Sequence, residues 1–141
     1  MLRILFVDDD LAIHSAMRRL FHRHRGMCDI QFAAHAEAAL EAMEGGPVDL
    51  VISDLRMPGT NGVQLLEKIR AADPAIVRVL MSGSIAPGDM RDPTVADAIL
   101  EKPCPAHELL HLVTQIAKLV EDIPDREERA RRLTAPEGVA V

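Results

Sequence analysis

Five residues of this chain have the types and the order to handle a phosphoryl group. Asp8 and Asp9 follow an apolar run near the start, Asp54 follows LVIS, Ser82 follows IVRVLM, and Lys102 follows AILE. A carboxylate oxygen is a competent nucleophile toward phosphorus. Carboxylates gathered in one place repel, and a hard divalent cation with oxygen ligands relieves that repulsion; Mg²⁺ prefers a few carboxylates plus water. A lysine supplies a second counter-charge and a serine hydroxyl a neutral donor. Phosphoryl transfer asks for little beyond positioning and charge neutralisation, and these side chains offer both.

The elements that must bring them together are legible from hydrophobic pattern. Leu2 to Val7 (LRILFV) is nearly continuously apolar, as in a strand covered on both faces. From Leu11 to about Arg25, Ile13, Ala16, Met17, Leu20 and Phe21 recur at helical spacing, and Gly26 closes the helix. Asp29 to Ala33 predicts a short, more polar strand at a sheet edge. Ala36 to Glu44 predicts an alanine-rich helix stopped by Gly45, Gly46 and Pro47. Asp49 to Ser53 predicts a third strand, followed by a turn on Pro58, Gly59, Asn61 and Gly62. A helix carrying Val63, Leu66 and Ile69 ends before Pro74, and Ile76 to Met81 predicts a fourth strand. Between Ser82 and Asp97, Pro87, Gly88 and Pro93 interrupt the expected fourth helix, which must be short or broken. Ala98 to Leu100 predicts a fifth strand. Pro105 suits the first turn of a last helix reaching about Glu121.

Strands alternating with helices predict an α/β fold with right-handed crossovers and one parallel sheet, doubly wound in three layers. Open sheets of this kind bind ligands at the carboxyl ends of their strands. Asp8 and Asp9, Asp54, Ser82 and Lys102 all fall at such ends, so three carboxylates, a hydroxyl and an ammonium converge in one crevice.

Composition narrows the class. The chain has 141 residues, 48% hydrophobic and 27% charged, with a net charge of −6. That length suits one domain. The acidic balance gives no support to direct nucleic-acid binding, and no apolar run is long enough to span a membrane. Cys28 and Cys104 form neither a disulfide framework nor a metal spacing, which predicts reduced thiols in a cytoplasm. After Pro124 the stretch is strongly charged and loses its pattern. The expectation is a domain over residues 1–121 and a charged extension over 122–141, partly helical or disordered.

Taken together, FVDDD, DLRMPGTNG, MSG and EKP, in this order and at these separations, make the chain resemble a receiver domain of a two-component response regulator, CheY-like and stand-alone. The resemblance covers Leu2 to about Val120. It implies a flavodoxin-like five-stranded sheet of order 2-1-3-4-5. Asp54 matches the phosphoacceptor, and Asp9 the direct metal ligand. Asp8 matches the acid that holds the metal through water, and Arg56 the residue whose backbone carbonyl completes a Mg²⁺ site. Ser82 stands at the Thr/Ser switch position and Lys102 at the family's lysine. The resemblance further implies a cis Lys102–Pro103 bond, an open approach to Asp54 past Gly83, and tuning of dephosphorylation by Arg56 and Ser84. Its implied partners are a histidine kinase or phosphotransfer protein and a downstream protein target. The implied activity is self-phosphorylation with slow autodephosphorylation, not that of a dedicated enzyme.

Two positions depart from the family pattern. Ile99 stands where an aromatic residue is usual, three residues before the lysine, and the fourth helix is broken. Both fall on the face the family uses for partners. A degenerate receiver that binds partners without phosphate is therefore one rival reading. The other is a haloacid-dehalogenase-like phosphatase, whose nucleophile would be Asp8 with Asp10 as second acid; Ala12 does not fit that pattern and no cap domain is present.

Other features have plainer readings. Asp10 is best placed to cap the first helix. Arg18, Arg19, Arg23 and Arg25 with His22 and His24 read as a solvated helix face. The histidines show no ligand spacing, His107 and His111 included, and Cys104 reads as a packed thiol. Leu109, Leu110, Leu112, Val113, Ile116, Leu119 and Val120 spread over about half the last helix's circumference. That surplus over a simple core stripe points to a dimer or partner surface.

Overall fold

The structure, a computed structural model, describes residues 1–83 and 92–134. Five parallel strands, β1 (Leu2–Val7), β2 (Cys28–Ala33), β3 (Leu50–Asp54), β4 (Val77–Ser82) and β5 (Ala98–Glu101), form one sheet of order β2-β1-β3-β4-β5. Burial follows that order. Every residue of β3 and β4 is buried, because both strands are interior and covered on both faces. The edge strands β2 and β5 keep exposed positions.

The helices divide between the faces. α2 (Ala36–Glu44) and α3 (Gly62–Ala72) close one side, with Ala39, Leu65, Leu66 and Ile69 packed on Leu5, Val51 and Leu80. α1 (Leu11–His22) and α4 (Ala106–Asp122) close the other, where Phe21, Leu112, Val113 and Ile116 meet Ile4, Phe6, Ile52 and Val79. Each fully buried large aliphatic or aromatic side chain stabilises the fold by about 1.5–3 kcal/mol relative to exposure. The predicted doubly wound sheet and its strand order are present, and most of the fourth crossover lies outside the described residues.

Element ends differ in instructive ways. α1 stops at His22 rather than near Arg25, and residues 23–27 form tight turns in which His24 N–H donates to Phe21 O and Met27 N–H to His24 O. Those turns swing the chain at once into β2, which begins at Cys28. β3 runs one residue further than the pattern suggested, so Asp54 pairs with Met81 within the ladder instead of lying beyond it. Pro105 is the N-cap of α4 and not a first-turn residue. Asp10 caps α1, its carboxylate accepting from Ala12 N–H at 2.9 Å.

Between β4 and β5, Pro87 and Gly88 lie outside the described residues, and Pro93 opens a single 3-10 turn, Pro93–Val95. A buried arginine on β4 holds that turn. Arg78 is 1% exposed; its Nε donates to Val95 O at 2.8 Å and a terminal nitrogen to Ile76 O at 3.1 Å. Asp97 completes the clamp by accepting the Arg78 backbone N–H at 2.7 Å and pairing with the guanidinium at 3.8 Å.

The chain beyond α4 contains a further helix, α5 (Arg126–Thr134), seated at the amino-terminal end of the sheet. Arg129 is 1% exposed and donates to Ala75 O at 3.0 Å and Ile123 O at 2.9 Å, while Leu133 joins the core beneath α1 and α4. Arg126 reaches Val48 O, Asp49 and Asp73, and the buried Asp49 carboxylate also faces Arg3 and Arg129. A charged segment looks unpatterned by hydrophobicity because its anchor is a buried arginine, which a hydrophobic-moment reading scores as solvent-facing. On α4, Leu109, Leu112, Val113 and Ile116 are buried, and Leu110, Leu119 and Val120 pack partly buried against the same core. No described helix is long and apolar enough to cross a membrane.

Candidate functional site

Three strand ends and one loop bring the acidic residues and the lysine together. β1 delivers Asp8 and Asp9, β3 ends on Asp54, β4 ends on Ser82, and Lys102 follows β5. Asp8 is 1% exposed and Asp54 7%, whereas Asp9 faces solvent. Asp8, Asp9 and Asp54 each offer a carboxylate oxygen, and these oxygens lie within 4.8 Å of one another. The Lys102 ammonium bridges the two buried acids, 3.1 Å from Asp8 Oδ2 and 3.2 Å from Asp54 Oδ1. Its own backbone is stitched to the neighbouring strand, Lys102 N–H donating to Ser82 O at 2.9 Å, and the Lys102–Pro103 bond is cis.

The turn after β3 is shaped for close approach. Gly62 N–H donates to Leu55 O at 2.9 Å, and a Cβ on Gly62 would lie 2.2 Å from the Asp54 carbonyl oxygen. Only glycine fits there. Gly59 takes a φ of +77° in the same turn. Asn61 then starts α3 with a reciprocal capping box to Gln64. At Gly83, by contrast, a Cβ would meet nothing within 4 Å among the described residues.

The electrostatics follow from burial. Burial pushes the Asp54 carboxyl above its ordinary value and the Asp8 charge adds to the rise, against the hydrogen bonds from Lys102 and from the Arg56 backbone N–H. Burial also works against the Lys102 ammonium, but its hydrogen bonds and charge pairing with Asp8 and Asp54 win, and its pKa is raised. Three carboxylates against one ammonium leave two uncompensated negative charges, which matches a divalent cation. An all-oxygen donor set selects a hard one.

Sequence reasoning did not find His14. It is buried, and its Nε2 lies 2.6 Å from the Asp8 carbonyl oxygen, where the N–H form donates. Phe32 stacks against it at 5.2 Å and Phe6 meets it edge-on. With Asp10 N–H donating to Asp8 Oδ1 at 2.9 Å, this fixes both the peptide and the carboxylate of Asp8. One signal was available: a polar residue on the apolar face of α1, one turn after the acids. Asp10 serves the cap, Ile99 on β5 is 44% exposed, and His107 and His111 are both exposed. Ser84 lies outside the described residues.

An open parallel sheet with an acidic crevice and a bridging lysine at its carboxyl edge defines a phosphate-handling signalling class. The model of the response regulator receiver domain family matches residues 4–114, and the chain belongs to that family. It is a phosphorelay signalling domain of the two-component type. The sensory/regulatory protein RpfC of Xanthomonas campestris is 30% identical over 98% of this chain, which spans 20% of RpfC's own length. Among solved structures, a CheY-like receiver domain protein from Methanospirillum hungatei superposes with a TM-score of 0.77 at 25% identity, over 86% of this chain and 98% of that one. Response regulator protein TrrA of Thermotoga maritima, solved with Mg²⁺-BeF, gives 0.71 at 28% identity, over 82% and 99%.

Proposed function

We propose that Asp54 accepts a phosphoryl group from a phosphohistidine on a histidine kinase or phosphotransfer protein, and that the phosphorylated chain acts through contact with a downstream protein. The observation that carries this reading is the Lys102 ammonium set between Asp8 and Asp54, beside the exposed Asp9. An Asp54 oxygen attacks phosphorus, the N–P bond breaks, and its electron pair returns to the imidazole nitrogen of the donor. Lys102 keeps the Asp54 carboxylate oriented and neutralises charge on the arriving phosphoryl oxygens. The Ser82 hydroxyl donates to one of those oxygens. Mg²⁺ would be held by Asp8, Asp9, Asp54 and the Arg56 backbone carbonyl, and when bound it supplies the remaining positive charge for the transferring group.

The phosphoacceptor unit is residues 1–121, and 122–141 is an extension. No enzymatic turnover of a separate substrate is expected beyond self-phosphorylation from a small donor and slow loss of the phosphate. Free thiols at Cys28 and Cys104 favour a cytoplasmic setting. The half-buried flank of α4 would carry any homodimer contact. Incubation with acetyl phosphate and Mg²⁺ tests the core of the reading. An acid-stable, alkali-labile phosphate is expected on the wild type and not on Asp54→Asn; absence of label from both overturns it.

A further inference from the structure

Arg3, Arg70, Arg78, Arg126, Arg129 and Arg132 each pair with a carboxylate. Arg18, Arg19, Arg23 and Arg25 make no ion pair among the described residues, although the chain carries an excess of acids. These four are exposed and gathered at the end of α1. Arg18 and Arg25 stand beside β2, whose only neighbour in the sheet among the described residues is β1, so the outer edge of β2 presents unpaired backbone groups.

The space between helix end and strand edge is a groove of about 580 Å³ with an apolar floor, lined on the strand side by Asp29 and Gln31 as well. Phe21 and Cys28 form that floor and are buried; Ile30 and Phe32 of β2 face the same side. The Arg18 guanidinium lies 4.7 Å above the Phe32 ring, and Arg25 donates to the last helical carbonyl, His22 O, at 2.9 Å. Both cations are thereby held along one wall. A second basic hollow, lined by Arg18, Arg19, His22 and Arg23, adjoins the first.

We infer that this groove binds an extended acidic segment of a partner protein, which adds to the open edge of β2 and points alternate carboxylates at the arginines of α1. The geometry supports that pattern. Arg18 and His22 on the groove wall, like Arg19 and Arg23 in the adjoining hollow, are one helical turn apart, a rise of about 6 Å, and alternate residues of a strand are about 6.7 Å apart. Carboxylates at every second position of an added strand therefore keep step with the cationic wall. The edge supplies main-chain hydrogen bonds and the arginines supply selection, the division of labour seen in strand-addition recognition. A nucleic acid is the weaker fit, because it cannot pair with a strand edge and the rest of the molecule repels a long polyanion. The acidic crevice at the carboxyl end of the sheet takes no part, so this surface stands or falls separately from phosphorylation.

The test uses the full chain and a fluorescein-labelled peptide of about ten residues with glutamate alternating with valine and threonine, read by anisotropy at low salt. Saturable binding is expected, weakened at least about tenfold by Arg18→Glu with Arg25→Glu and restored in that variant by the same peptide with lysine for glutamate. Asp54→Asn should bind like wild type. N-methylation of alternate peptide nitrogens should abolish binding to wild type, which decides the matter even if the reversed variant fails to fold. The inference is overturned by no saturable binding, by equal binding of a peptide with its glutamates in one block, by indifference to N-methylation, or by tighter competition from single-stranded DNA of equal charge.

Discussion

At the scale of single residues, the acidic crevice depends on groups that do no chemistry. Gly62 faces the Asp54 backbone so closely that a methyl group would collide with main-chain atoms that cannot turn aside. Gly62→Ala is expected to cost about 3 kcal/mol or more in urea unfolding and to abolish labelling by acetyl phosphate. His14 satisfies the buried Asp8 carbonyl. His14→Phe keeps the packing against Phe32 but orphans that oxygen, with an expected loss of about 1–3 kcal/mol and weaker Mg²⁺ binding in a metal titration. His14→Gln should recover part of both. The Asp54 carboxyl, held above its ordinary 3.8 by burial, favours protonation in the folded chain. Its stabilising contribution is complete below 3.8 and is lost as pH rises through the folded value. Metal-free Asp54→Asn should therefore melt higher than wild type near neutrality, and the gap should close in acid. Asp8, Asp9, Asp54, Ser82 and Lys102 were readable as strand-end residues because pattern places strand ends. His14 was not, since its partner is a backbone carbonyl that only the fold brings near.

At the scale of elements, regular strands and helices were legible to within a residue or a few, and the misses lie where a tertiary contact sets the boundary. Hydrophobic periodicity cannot see that Asp54 pairs with Met81, nor that the turn after His22 tightens to start β2. In the sequence Arg78 only interrupts an otherwise apolar run. It is in fact the post to which the 3-10 turn before β5 is tied. Asp97→Ala leaves that guanidinium buried without its carboxylate and should cost about 3–5 kcal/mol in chemical denaturation. Arg78→Met with Asp97→Ala should recover much of the loss, because an apolar pair of similar volume carries no uncompensated charge.

At the scale of the molecule, charge is sorted by end. The carboxyl edge of the sheet gathers acids around one lysine, and the amino edge gathers arginines around Asp49 and Asp73. The first invites a cation; the second fastens α5. Ending the chain after Ile123 removes Arg126, Arg129 and Leu133 together. A loss of about 2–4 kcal/mol is expected in thermal or urea unfolding, with the sheet retained by circular dichroism. The same fastening has a consequence for the order in which the protein is made. Arg129 touches Ala75, which precedes it by 54 positions. At ordinary ribosomal speeds roughly 3–11 s separate the synthesis of the two. Through that interval the nascent sheet must keep Asp49 with Arg3 as its one cation. The lower rim of the domain closes only after residue 129 has been made, and a ribosome that stalls before it leaves the rim open.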